Sequence, residues 1–201
     1  MDGFFRYVFK SNNPIVMILY ICVGPGGYAA YLKYGYYDHM PNSFVSHLHL
    51  YPTLVIAGFG FYCYYMAVNT DPGVITKQNV KQYLEKYNQF DEVMFQKDNN
   101  CSTCNLKKPA RSKHSSVTNQ CVARFDHYCI WIKGDVGERN YKYFLGFIGL
   151  HAVLTLYGTY FGLAVLNGLV TKEGLWHAKF RSIETGEIFT AGYMTIFQVG
   201  L

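Results

Sequence analysis

Charge is what this chain has least of. Asp, Glu, Lys and Arg make up only 15 % of its 201 residues, where a soluble domain carries roughly 25 %. The deficit is concentrated, because residues 14–32, 48–68 and 144–170 contain no charged residue at all. A bilayer crossing takes roughly 20 predominantly apolar residues, so each stretch is long enough to be a span. Three of them in so short a chain leave little polar sequence to cover buried helices, which argues against an ordinary soluble core. The chain also lacks repeats, low-complexity tracts and an A-x-A-like cleavage site, and residues 14–32 are too long for a signal-peptide core. Cysteine is sparse outside one segment. Cys22 and Cys63 lie in apolar stretches, and the other four of the six fall between Cys101 and Cys129.

The charge that is present is placed unevenly. Of the 18 Lys and Arg, fourteen lie before residue 14 or between residues 69 and 143, and the connection 33–47 holds one, Lys33. The positive-inside rule then puts the N-terminal arm and the 69–143 loop in the cytosol, with 33–47 on the lumenal side. The net charge of +5 is thereby a topology signal that also favours anionic headgroups; it does not call for nucleic acid. The order is two spans within residues 1–68, a cytosolic cysteine-rich domain at 69–143, and a third span with a loop and an apolar tail in 144–201. The tail, 188–201, reads as a partial fourth span. Within the spans, His49, His151 and Asn167 are expected to be helix-packing polar groups, and Gly158-x3-Gly162 a packing face. Asp71-Pro72-Gly73 is a turn signature. Val80, Tyr83, Leu84, Tyr87, Phe90 and Met94 recur at helical spacing, which predicts an amphipathic helix lying on the membrane or against the cysteine region, with core packing its expected job.

Four soft ligands, Cys101, Cys104, His114 and Cys121, have the types and spacing of a structural zinc site, with Cys101-x2-Cys104 as a pair on a tight turn. Lys107, Lys108, Arg111 and Lys113 favour the thiolate form of these sulfurs. A reducing cytosol suits metal-bound or reactive thiols better than disulfides. A few residues on, Asp126, His127 and Cys129 put a carboxylate, an imidazole and a thiol side by side. A thiol attacks as its thiolate, His can accept the proton, and a carboxylate can orient the ring. Residues i and i+2 share a face in an extended strand, so His127 and Cys129 can meet. Residue types alone leave open a nucleophile, a further metal ligand or an inert buried thiol.

The ordered run of Asp71-Pro72-Gly73, Cys101-Ser-Thr-Cys104, Lys108-Pro-Ala-Arg-Ser-Lys-His114, Cys121, Asp126-His127, Cys129, Trp131 and Gly137-x2-Asn140-x3-Phe144 resembles the DHHC family of protein S-acyltransferases (palmitoyltransferases), here with a DHYC motif. The resemblance implies a membrane α-helical fold: three transmembrane helices plus a truncated fourth, with a small zinc-bound cysteine-rich β-hairpin domain in the cytosolic loop. It implies Cys129 as the acyl-accepting nucleophile, His127 as its base, Asp126 as the orienting acid, and a zinc ion on Cys101, Cys104, His114 and Cys121. Acyl-CoA is the implied co-substrate and proteins with membrane-proximal cysteines the acceptors, at endoplasmic-reticulum or Golgi membranes. Ser115, Thr118, Tyr128 and Asp135 stand where the family has a second set of zinc ligands, so one zinc is expected. The family's Thr-Thr-x-Glu motif and aromatic C-terminal segment have no match. These departures keep a second expectation in play, a catalytically inactive DHHC-like membrane protein that acts as a zinc-stabilised scaffold or partner-binding module.

Overall fold

The structure is a computed structural model and describes residues 7, 13–183 and 185–190, the Trp176 side chain excepted. Helix α1 (Ile15–Ala30) continues through a wider π-type segment, Tyr31–Tyr36, to a last turn ending at His39. Helix α2 (Leu50–Asn69) is entered through a tight turn, His47–His49, and the long helix here labelled α4 covers Tyr141–Lys172. With their extensions, Ile15–His39, His47–Asn69 and Tyr141–Lys172 are each long and apolar enough to cross a membrane. Leu19, Val23, Val55, Phe59 and Leu156 are among the many large apolar side chains pointing outward from them. That much exposed apolar surface suits lipid and not water. Pro25, flanked by Gly24, Gly26 and Gly27, lies within the first span. The helix runs through that residue, and the ladder widens only at Tyr31–Tyr36.

Two compact units divide the chain. The first, residues 1–26 and 55–153, contains the cysteine-rich lobe and the helical segments that carry it. His151 behaves here as the expected packing group. Its Nδ1 donates to the Phe147 carbonyl at 2.7 Å, so in the neutral ring Nε2 accepts from the Tyr20 hydroxyl, also at 2.7 Å. The second unit, residues 27–54 and 154–201, has its own core of Tyr36, Met40, Val45, Phe161 and Ala164. There His49 Nδ1 meets the Tyr157 hydroxyl at 2.6 Å. Side chains added at Gly158 and Gly162 would meet nothing within 4 Å, so among the described residues the Gly158-x3-Gly162 face packs no neighbour. Ile188–Thr190, the start of the expected partial span, forms β9 of a hairpin with β8 (Lys179–Arg181). The rest of that segment, 191–201, lies outside the described residues.

The lobe is built from short strands: β1 (Val74–Ile75), β2 (Asn100–Cys101), β3 (Leu106–Lys107), β4 (Lys113–Ser115), β5 (Gln120–Val122), β6 (His127–Cys129) and β7 (Gly134–Val136). They make one three-stranded sheet, ordered β1-β5-β4, and two hairpins, β2–β3 and β6–β7. Helix α3 (Val80–Lys86) is shorter than its periodicity predicts. Beyond it the backbone turns away: the Tyr87 carbonyl accepts from Ala110 N–H, and Asp91 Oδ1 takes up the N–H groups of Val93, Met94 and Phe95. These polar partners outcompete a further helical turn. Val80, Tyr83 and Tyr87 still pack on Ile75, Cys101, Cys121 and Ala123, as expected, while Val93 and Met94 are exposed.

The turn Asp71-Pro72-Gly73 forms as its sequence predicts, with Asp71 Oδ1 accepting from Gly73 N–H (2.8 Å) and Val74 N–H (3.0 Å). It abuts Gly137 so closely that an added Cβ there would lie 2.5 Å from Val122 Cγ1 and nearer still to the Pro72 carbonyl oxygen. Both are rigid neighbours. Gly137→Ala should therefore destabilise the folded protein by on the order of 1–3 kcal/mol, the usual cost of overpacking. Gly149→Ala, where an added Cβ meets nothing within 4 Å, should cost nothing; thermal unfolding of both variants in the same detergent checks the contrast.

Candidate functional site

Cys101, Cys104, His114 and Cys121 converge from β2, its turn, β4 and β5. Their ligand atoms all lie within 4.8 Å of one another. His114 Nδ1 sits 3.6, 3.3 and 3.8 Å from the sulfurs of Cys101, Cys104 and Cys121. Zn–S and Zn–N bonds of tetrahedral zinc put sulfur and nitrogen about 3.5 Å apart, so the donor set fits that ion. The electrostatics agree. Burial disfavours a charged Cys101 sulfur, but the Cys104 N–H, at 3.4 Å, and the neighbouring thiols outweigh it and lower the thiol below its ordinary value. Cys121 is pushed well up, by burial and by the other two cysteines. Three thiolates in one pocket repel, and a divalent cation at their centre removes that conflict.

Ser115, Thr118, Tyr128 and Asp135, read in the sequence as a lost second metal set, are also brought together. Ser115 Oγ donates to Asp135 Oδ1 at 2.8 Å, and Thr118 Oγ1 donates to Asp135 Oδ2. Tyr128 is the register partner of Asp135 across β6–β7. Burial first, and then the nearby Asp135, raise the Tyr128 phenol above its usual range.

Hairpin β6–β7 presents the candidate chemistry. Asp126 Oδ2 lies 3.2 Å from His127 Nδ1, and both side chains are about half exposed. His127 and Cys129 are two apart on β6 and share its face. The Phe144 ring meets the His127 ring edge to face at 5.2 Å. Cys129 is only 5 % exposed, in a cluster with Tyr64, Ala67, Ile132, Val136, Phe144 and Phe147. Burial raises its thiol above the ordinary value, while the N–H groups of Trp131 and Ile132 work the other way. The sulfur thus faces the aromatic ends of α2 and α4 and is enclosed by them. Tyr64 adds a tether, its hydroxyl donating to the Trp131 carbonyl at 2.9 Å. Beside Asp126 opens a cleft of about 610 Å³ whose walls include Lys108, Arg111, Lys113 and Arg124.

Sequence reading missed Tyr64 and Phe147, which carry no motif signal. It saw Ser115, Thr118 and Asp135 only as substitutions. A signal was present, because Ser115-x2-Thr118-Asn119 repeats the spacing of Cys101-x2-Cys104-Asn105, and Asn105 and Asn119 share a left-handed φ of 54°.

Purified protein should hold one zinc per chain by elemental analysis, and Cys104→Ser should lose it. Two zinc ions, or none, would contradict this account of the two ligand sets.

The model of the DHHC palmitoyltransferase family matches residues 94–201. The chain is 33 % identical to the palmitoyltransferase ZDHHC4 of Rattus norvegicus, over 96 % of this chain and 59 % of that protein. It is 38 % identical to ZDHHC4 of Bos taurus, over 71 % of this chain and 41 % of the relative. It is 41 % identical to the palmitoyltransferase SWF1 of Yarrowia lipolytica, over 60 % of this chain and 32 % of that protein. The chain thus spans between 32 % and 59 % of the length of these relatives. With a family match over more than half its residues, and the motif residues gathered as described, the chain belongs to the DHHC palmitoyltransferase family.

Proposed function

We propose that this protein is a membrane S-acyltransferase that moves a long-chain acyl group from acyl-CoA to cysteines of other proteins through a thioester on Cys129. The observation that carries the reading is the seating of Cys129. Its thiol shares the face of β6 with a histidine already paired to Asp126, and is enclosed by aromatic side chains at the ends of apolar helices. An acyl chain held among such helices would bring its carbonyl to this sulfur. The basic walls of the neighbouring cleft, Lys108, Arg111, Lys113 and Arg124, suit the phosphates of coenzyme A.

In the first half-reaction the Cys129 proton goes to His127, the thiolate attacks the acyl-CoA carbonyl, and the tetrahedral adduct expels the coenzyme A sulfur. That sulfur takes the proton from His127, which Asp126 has held in orientation. In the second half-reaction a substrate cysteine gives its proton to His127, attacks the Cys129 thioester, and leaves with the acyl group while Cys129 recovers the proton. Each half exchanges one thioester for another, so the demand is for positioning and thiol activation more than for driving force. The N–H groups of Trp131 and Ile132 near the sulfur suit stabilisation of developing negative charge. The zinc is structural in this reading and takes no part in the steps. The acceptors would be membrane-proximal cysteines, with the lobe in the cytosol at an endoplasmic-reticulum or Golgi membrane.

The same enclosure of Cys129 favours a second reading, a zinc-stabilised membrane module with a silent thiol. Labelled palmitoyl-CoA separates the two. Wild type should acquire hydroxylamine-sensitive label and Cys129→Ser none; equal label on both, or none on wild type, would sink the enzyme reading. His127→Ala should slow labelling by on the order of 100-fold or more, as loss of a general base does. Because Cys129 is held above its ordinary thiol range, less of it is thiolate at neutral pH than of a free cysteine. Iodoacetamide alkylation of Cys129 in His127→Ala should therefore rise with pH to a midpoint above about 8.5, the reference thiol value. A midpoint below that value would contradict the assigned effect of burial.

A further inference from the structure

The turn at Ser115–Asn119 is built like the metal-binding turn at Cys101–Asn105. In the latter, Cys104 N–H points at Cys101 Sγ from 3.4 Å; in the former, Thr118 N–H points at Ser115 Oγ from the same distance. Each is followed by an asparagine in the left-handed conformation at φ 54°. The first turn offers sulfurs to a cation. The second offers hydroxyl groups, and these close on the Asp135 carboxyl, which takes one hydroxyl on each oxygen. Ser115 and Asp135 are 3 % and 2 % exposed, so these bonds compete with little water. The Asp135 backbone is fixed as well, its carbonyl accepting from Asn140 Nδ2 at 2.9 Å.

The consequence lies across the hairpin. Asp135 pairs with Tyr128, and the pairs on either side are His127 with Val136 and Cys129 with Gly134. Whatever fixes Asp135 therefore fixes the strand opposite, at the residue between the base and the thiol. We propose that the buried Ser115–Asp135–Thr118 cluster is a metal-free clamp, with Asp135 the positioning residue that seats Cys129. It joins the β4–β5 turn to β7 by side-chain hydrogen bonds where the neighbouring turn uses a metal. A buried carboxyl with both oxygens satisfied is rigid. Leaving two hydroxyls unpartnered in its place would loosen the hairpin.

The test uses the full-length, zinc-loaded protein in detergent micelles. Alkylation of Cys129 by iodoacetamide, followed by peptide mass spectrometry, reads the seat directly and needs no acyl transfer. Asp135→Ala should speed it by about tenfold or more, while zinc content stays at one per chain and Cys101, Cys104 and Cys121 remain protected. The kinetic arm rests on the acyl-transfer reading. In Asp135→Ala the maximal rate of label acquisition from palmitoyl-CoA should fall about 100-fold, the scale of a misplacement of about 1 Å, with KM for palmitoyl-CoA within about twofold. Asp135→Asn, which can accept from one hydroxyl and donate to the other, should recover most of the rate; Ser115→Ala, which removes one donor, should fall between. Unchanged Cys129 alkylation in both Asp135→Ala and Ser115→Ala would overturn the proposal. So would loss of zinc in either, or a KM rise at constant maximal rate. A wild type that takes no label refutes the transferase reading and leaves the alkylation arm to decide the clamp.

Discussion

One buried side chain connects the lobe to the helices below it. Asn140 donates to the Ala67 carbonyl near the end of α2 (3.3 Å) and to the Asp135 carbonyl on β7 (2.9 Å), and accepts from Gly137 N–H (2.9 Å). Its own carbonyl accepts from the N–H groups of Tyr143 and Phe144 in the first turn of α4. Asn140 is 2 % exposed, and leaving one of these groups unmet in such a site costs about 1–3 kcal/mol. The orientation of β6–β7 against α2 and α4 follows from this joint. So does the direction in which Cys129 faces.

That direction sets a conflict that the local structure partly resolves. Packing the sulfur under Tyr64, Phe144 and Phe147 places it where an apolar chain among the helices would end, yet burial makes the thiolate harder to form. The backbone N–H groups of Trp131 and Ile132 offset part of that cost, and the Tyr64 hydroxyl holds the Trp131 carbonyl in place. His127 stays half exposed beside Asp126, so its imidazole meets solvent while the Cys129 sulfur does not. The imidazole and the thiol share a strand face but have opposite surroundings.

The spans were legible because charge is costly in hydrocarbon: the uncharged runs 48–68 and 144–170 match their helices within three residues, while the first helix runs on past residue 32 to His39. The first zinc set was legible because its four ligands are chemically distinctive and closely spaced. Helix α3 was overread: periodicity at Tyr87, Phe90 and Met94 carried no information about Asp91, whose carboxylate captures the next N–H groups. The enclosure of Cys129 was invisible, since it depends on Tyr64 and Phe147, residues ordinary for a span and remote in sequence. The Ser115–Asp135–Thr118 cluster was half legible. Sequence showed that zinc ligands were missing there, but only geometry shows that the replacements bond to one another.

The central claim is that Cys129 delivers its acyl chain into the apolar ends of the helices and not into the lobe or bulk solvent. A palmitoyl-CoA analogue with a photoreactive diazirine partway along the chain tests it, with cross-linked residues mapped by mass spectrometry after illumination of the Cys129 thioester. The account predicts adducts on Tyr64, Phe144 or Phe147 and their neighbours in α2 and α4. Adducts confined to the lobe, or to detergent alone, would contradict it.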